Sequence, residues 1–213
     1  MADERETGLR PAVWQYGMLM AVSVALGLSW IRPKYPVEQT LQHIPTVLAL
    51  VGLAWGVHRR WMSNGALACC VGFLVLHILG ARYIYSFVPY DNWTDGLWGW
   101  RVSAKLGWTR NHYDRLVHLA FGGLAIIPLA EWATKGGKLS CNWALLFAVS
   151  GTLAISSGYE IAEWMLTLAM SPHHAEAYNG QQGDFWDAQK DMALAGLGSC
   201  VVAGLLWLFH RRK

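Results

Sequence analysis

Read from its amino end, the chain alternates between long apolar runs and short polar breaks. A helix rises 1.5 Å per residue, so about 20 apolar residues cross a hydrocarbon core of roughly 30 Å. Six runs suit that requirement: Val13–Ile31, Leu41–His58, Ala66–Val88, Tyr113–Ala133, Asn142–Met170 and Asp187–Phe209. The breaks carry turn and charge signals, among them "RPKYP", "HRRWMSNG", "PYDNWTDGLWGW", "TKGGK" and "SPHHAEAYNGQQG". Pro45, near the start of the second run, suits a first helical turn. The pattern predicts an all-α fold, a polytopic membrane helix bundle with about six transmembrane helices. These form a single integral membrane domain over residues 1–213.

Composition strengthens this picture. Hydrophobic residues make up 54% of the chain and charged residues 15%. The 13 tryptophans suit a bilayer interface, where one edge of the ring is apolar and the other wet. A net charge of +3, scattered along the chain, excludes nucleic acid as a partner and leaves membrane lipid. The cysteines have no CxxC spacing, which predicts buried, reduced thiols. The segment "MADERETGLRPAVW" reads as the head of a signal anchor.

Positive charge sets the orientation. With cytoplasmic termini, nine Lys/Arg lie inside: Arg5, Arg10, Arg59, Arg60, Lys135, Lys138, Arg211, Arg212 and Lys213. Five lie outside: Arg32, Lys34, Arg101, Lys105 and Arg110. The excess favours termini in the cytoplasm.

The ionisable residues within the runs then fall at one level, near the outer leaflet. His77 lies in the third run, Asp114 and His118 open the fourth, Glu160 and Glu163 lie in the fifth, and Asp184, Asp187 and Asp191 lead into the sixth. Residues three or four apart share a helix face, so each run offers its groups as a stripe. Ionised carboxylates in a bilayer cost several kcal/mol each unless paired, hydrated or metal-bound. Arg115, Arg82 and Lys190 supply part of the compensating charge, and a divalent metal ion supplies the rest. The expected ligands are Asp114, His118, Glu160, Asp187 and Asp191. Glu163, or whichever acid is left out of the ligand set, is the expected general base, and Arg115 or Tyr83 the group that stabilises developing negative charge. His77 and Asp184 complete the lining.

This arrangement predicts a metal-dependent membrane hydrolase or transferase acting on a lipid or lipid-linked envelope substrate. Three rival readings use the same residues: a carboxylate-bridged di-iron oxidase, a small proton- or cation-coupled transporter, and a structural polar network. His43, His58 and His210 are expected at the interface, and His173 with His174 in a solvated outer loop. Trp93, Trp98, Trp100 and Trp108 predict an interfacial belt or re-entrant lid before the fourth run.

Four stretches also carry a family resemblance. "GARYIYSFVPYDNW", "NHYDRLVHLAFG", "GYEIAEW" and "GDFWDAQKDMALAGLG" resemble, in that order, the motifs of YjdF-like bacterial inner-membrane proteins, a family of unassigned function. Arg82 stands where that pattern has a histidine, while Tyr83 and Tyr85 match. More loosely, Asp114, Arg115, His118, Glu160 and Asp187 are similar to a VanZ-like pattern. Both resemblances imply the inner (cytoplasmic) membrane of a bacterium, and neither supplies a reaction.

Overall fold

The computed structural model describes residues 10–211 apart from 172, 173, 176, 177 and 179. The head of the expected anchor, His173 and three of the inside charges (Arg5, Arg212 and Lys213) lie outside the described residues. The protein is an all-α membrane helix bundle. Its helices are α1 (Arg10–Ser29), α2 (Pro36–His58), α3 (Asn64–Arg82), α4 (Tyr90–Trp98), α5 (Val102–Leu106), α6 (Tyr113–Lys135), α7 (Cys141–Ala169) and α8 (Asp187–Arg211). Five of them, α2, α3, α6, α7 and α8, are long and apolar enough to span a bilayer, and the apolar part of α1, Val13–Ser29, is shorter. Large apolar side chains such as Met20, Leu48, Val51, Trp143 and Leu168 face outward, as lipid-facing positions should.

Two boundaries depart from the sequence expectation. Helix α2 begins at Pro36, not Leu41, and Pro45 lies inside it. The added residues include the buried Glu38 and Gln39, so polar residues that read as a break belong to the helix, on the same buried face as Gln42, His43 and Thr46 of the expected run. Helix α3 stops at Arg82 where the apolar run continues to Val88. Ile84 and Tyr85 take φ of 43° and 54°, the left-handed region that opposes a β-branched residue. The resulting turn folds Tyr85 back onto α3, where a Cβ on Gly80 would lie 2.6 Å from its ring.

The loop expected to carry tryptophan side chains contains α4 and α5, with Trp93, Leu97 and Trp98 exposed. The cysteines are free thiols, but Cys69, Cys70 and Cys141 are only half-buried and Cys200 is exposed, so burial does not hold for them.

Helices α1, α2 and α3 pack together, as do α6, α7 and α8, and the α3–α6 seam joins the two groups. The first group closes on Leu19, Val22, Val57, Leu67, Leu74 and Ile78. The second closes on Ile126, Leu145, Ala148 and Ala203. Tyr85, Val88, Tyr113 and Val117 fill the seam at its polar end.

Helix α6 approaches α8 most closely. A Cβ on Gly122 would lie 2.1 Å from the Ala195 carbonyl oxygen, and one on Gly198 would lie 2.3 Å from the Leu119 carbonyl oxygen. Both obstacles are backbone, so neither can rotate away. Lipid offers no hydrophobic gain for helix association, and close backbone packing supplies much of the attraction instead. Gly122→Ala and Gly198→Ala should each cost about 1–3 kcal/mol by overpacking. Differential scanning in detergent should show both melting several degrees lower, with Gly27→Ala, which has nothing within 4 Å of its Cβ position, unchanged.

Candidate functional site

The α6–α8 contact brings the starts of these two helices together. Asp187 opens α8 and receives Arg110 on both oxygens, Nη1 at 2.6 Å and Nη2 at 3.1 Å. Arg115 Nη2 reaches Asp187 Oδ1 at 3.3 Å and also bonds Asp184. Lys190 Nζ donates to both Asp184 oxygens at 2.8 and 2.7 Å. Burial works against the charge on Arg110, but its bonds to Asp187 outweigh that and hold the guanidinium further into its charged form. The Lys190 ammonium, aided by the Trp186 N–H and Arg115, lowers Asp184 to about 2 against a small opposing effect of burial.

Beneath this clamp lies a second group. One ligand-type atom each from Asp114, His118 and Asp191 falls within 4.8 Å of the others. His118 Nε2 is 3.6 Å from Asp114 Oδ1 and 3.3 Å from Glu160 Oε1, so α7 joins α6 and α8 here. These separations are long for N–H···O hydrogen bonds, which cluster near 2.9–3.0 Å. They equal the edge of a tetrahedron with metal–ligand bonds of about 2.0–2.2 Å, which is about 3.3–3.6 Å. Among the described residues, Glu160 Oε1 and Asp191 Oδ1 are buried and accept no hydrogen bond. Asp191 is 2% exposed. Among the described residues the cluster holds more acceptor atoms than donors, His118 being its one imidazole, which suits a cation.

A cavity of about 200 Å³ adjoins the cluster, lined at its polar end by Asp114, His118, His77, Tyr85 and Tyr159. His77 Nε2 lies 3.0 Å from the Gln42 carbonyl, which can only accept, so this nitrogen carries the proton. In the neutral ring, Nδ1 then accepts from the Tyr85 hydroxyl, and the Tyr85 oxygen keeps its lone pairs free.

Of the residues expected from sequence, Asp114, His118, Glu160 and Asp191 come together. Asp187 and Asp184 belong to the arginine clamp above them. Arg115 is engaged by those two aspartates. Glu163 follows Glu160 by one turn and is half-buried. Tyr83 packs edge-on against Trp93 at 6.2 Å, while Tyr85 lines the cavity with His77. Arg82 lies away from the acids and donates to the Ser29 and Ile31 carbonyls at the end of α1.

Of the histidines expected at the surface, His43 differs, while His174 stays exposed and gains a partner. His43 is 3% exposed inside the bundle, edge-on to Trp30 at 5.6 Å, because its part of α2 is an interior face. His174 bonds the buried Glu38 at 2.6 Å across the top of the molecule. Arg110 escaped sequence reasoning because it reads as one more loop charge. Its signal was the need for cations among so many acids. Asn111 was similarly silent: its side chain donates to the Val88 carbonyl at 2.8 Å, and its N–H and carbonyl pair with the Gln182 amide.

Comparison with known proteins follows the same lines. A family described as "Predicted membrane protein (DUF2238)" matches residues 14–212, so the chain belongs to that family. The "Inner membrane protein YjdF" of Escherichia coli (strain K12) is 32% identical over 176 residues, covering 81% of this chain and 79% of the relative. No solved structure matches. These matches carry the YjdF-like resemblance and not the VanZ-like one. With its span-length helices, the chain is a multi-pass inner-membrane protein.

The clamp has a defined pH dependence. The folded protein holds the Asp184 pKa at about 2, below its ordinary 3.8. Its stabilising contribution is therefore complete above that ordinary value and disappears as pH falls through the folded one. Asp184→Asn should melt below the parent at neutral pH. The difference should shrink only in acid, between about pH 4 and pH 2, when melting is followed by circular dichroism.

Proposed function

We propose that this inner-membrane protein is a metal-dependent hydrolase or transferase acting on a lipid-linked phosphoester. The reading rests on one observation. His118 Nε2 has carboxylate oxygens of Asp114 and Glu160 at 3.6 and 3.3 Å, with an unbonded Asp191 oxygen in the same group. The Asp114 spacing and the grouping of Asp114, His118 and Asp191 within 4.8 Å suit ligands of a divalent ion, while Glu160 stands against the same imidazole from α7. Asp114, His118 and Asp191 would hold the ion, which would polarise a phosphoryl oxygen and lower the pKa of a bound water to about 7. Glu160, on a separate helix, is the acid beside this trio and takes the proton of the attacking water. Arg110 and Arg115 fix Asp187 and Asp184, which holds α8 and so places Asp191. The His77–Tyr85 pair on the opposite wall presents a hydroxyl oxygen toward the cavity.

The nine-to-five distribution of Lys and Arg supports termini in the cytoplasm and the cluster at the outer leaflet, at headgroup depth. Beyond the cluster the buried side chains carry no ionisable group among the described residues: Phe121 and Leu74 line the cavity, Ile126 is buried farther along α6, and the polar groups there include the hydroxyls of Thr46, Thr152, Ser156 and Ser199. That supports a site open at one level over a transport path.

Metal analysis by plasma mass spectrometry tests the centre. Detergent-purified protein from metal-replete growth should carry about one equivalent of divalent metal, and His118→Ala and Asp191→Asn should lose most of it. A parent protein with under about a tenth of an equivalent overturns the reading. Glu160→Gln tests the base: it should keep the metal and lose about 10²–10⁴ in turnover of a lipid phosphoester.

A further inference from the structure

The cavity beside the cluster changes character along its length, and does so in the same direction on every wall. On α6 the lining runs from Asp114 and His118 to Phe121. On α3, which runs the opposite way, it passes from His77 to Phe73. On α7 it passes from Tyr159 to Ile155, and on α2 from Thr46 to Ala49. The gradient is clearest on α3 and α6, where His77, Asp114 and His118 give way to Phe73, Leu74 and Phe121; on α7 Ser156 adds one hydroxyl beside Ile155.

The fourth wall is not sealed. Helix α2 packs on α1 and α3, and α7 packs on α6 and α8, with no packing of described residues between α2 and α7. Ala49 and Ile155 line the cavity and are also exposed, Ile155 at 50%. Over the polar end, His174 ties to Glu38 of α2 by a bond of 2.6 Å. The cleft is strapped on the aqueous side and open toward lipid.

We propose that this cleft is a binding site for one hydrocarbon chain of a phosphorylated membrane lipid, which enters sideways between α2 and α7. The chain lies along Phe73, Leu74 and Phe121, and its phosphoryl head meets the Asp114–His118–Asp191 group. The placement of the head rests on the metal reading above, because an anionic head beside these acids needs the ion; the chain site stands on the cavity alone. The bilayer supplies such ligands at high local concentration, and a soluble phosphoester would leave the apolar half of the cavity unfilled. Exchange through the α2–α7 gap also spares the head a passage through the strapped end.

Photolabelling tests the site. Full-length protein in nanodiscs containing phosphatidic acid with a diazirine on its acyl chain is irradiated and mapped by peptide mass spectrometry. Labels are expected on Phe73, Leu74 or Phe121. Ala49→Trp, which fills the portal from an exposed position, should reduce them about tenfold while leaving labels on outward-facing Leu48 and Val51. Soluble glycerol 3-phosphate should not compete. Labels confined to Leu48 and Val51, labels unaffected by Ala49→Trp, or competition by glycerol 3-phosphate would each overturn the lipid-chain site. Metal content measured on the same samples separates the two proposals. Cavity labelling without metal leaves the chain site and removes the metal; metal without cavity labelling does the reverse.

Discussion

The structure depends on how closely α6 can approach α8. At Gly122 and Gly198 the backbones touch, with no room for even one carbon at either position. Helices that close bring their first turns into register. The first turns here carry Asp114 and His118 on one side and Asp187 and Asp191 on the other. A methyl group interposed midway down the seam would therefore be felt at the polar end, about one to two turns away, because packed helices move as rigid bodies. Small residues deep in an apolar helix are in this sense part of the site, although they carry no chemistry.

That proximity creates an electrostatic problem, which is solved in two layers. The outer acids, Asp184 and Asp187, are neutralised by Arg110, Arg115 and Lys190, and the fork of Arg110 meets Asp187 with two parallel bonds. The inner acids, Asp114, Glu160 and Asp191, form no ion pair with Lys or Arg among the described residues and gather about the imidazole of His118. A low-dielectric interior tolerates unpaired carboxylates poorly, whichever helix carries them. The cations that reach this end of the bundle complete the outer layer. The remaining carboxylates are concentrated where Asp114, His118 and Asp191 converge, and this contrast is what the proposed cation would relieve.

Much of this was legible in the sequence. Hydrophobic run length gave the span-length helices, and spacing of three, four and seven gave the stripes containing Asp114, His118, Glu160 and Asp191. Two kinds of information were hidden. Partner choice was one: nothing in "TRNHYDR" says that Arg110, and not Arg82, answers Asp187, because that depends on where a loop returns. Burial of polar helix faces was the other. The segment "PVEQT" has too few apolar residues to read as part of a span, yet Gln39, with Gln42 and His43 of the run that follows, points inward because α1 and α3 cover this face. Hydropathy reports average preference for lipid and cannot see a polar face turned inside a bundle.

The strained turn after α3 shows how local and long-range constraints combine. An isoleucine at φ 43° followed by a tyrosine at φ 54° costs free energy that a relaxed loop would avoid. The cost persists because the surroundings fix the outcome: Gly80 leaves space for the Tyr85 ring, the Tyr85 N–H bonds the Gly80 carbonyl at 2.8 Å, and the hydroxyl reaches His77. A helix continuing to Val88, as the apolar run alone would favour, would carry Tyr85 along α3 and away from that histidine. The turn thus exchanges local helical bonding for a hydroxyl held against the cavity. Strain of this kind is stable only where several contacts demand the same geometry. Here those contacts come from the α3 backbone, the α2 carbonyl behind His77 and the seam with Tyr113, so the wall facing the acid cluster is set by three elements at once.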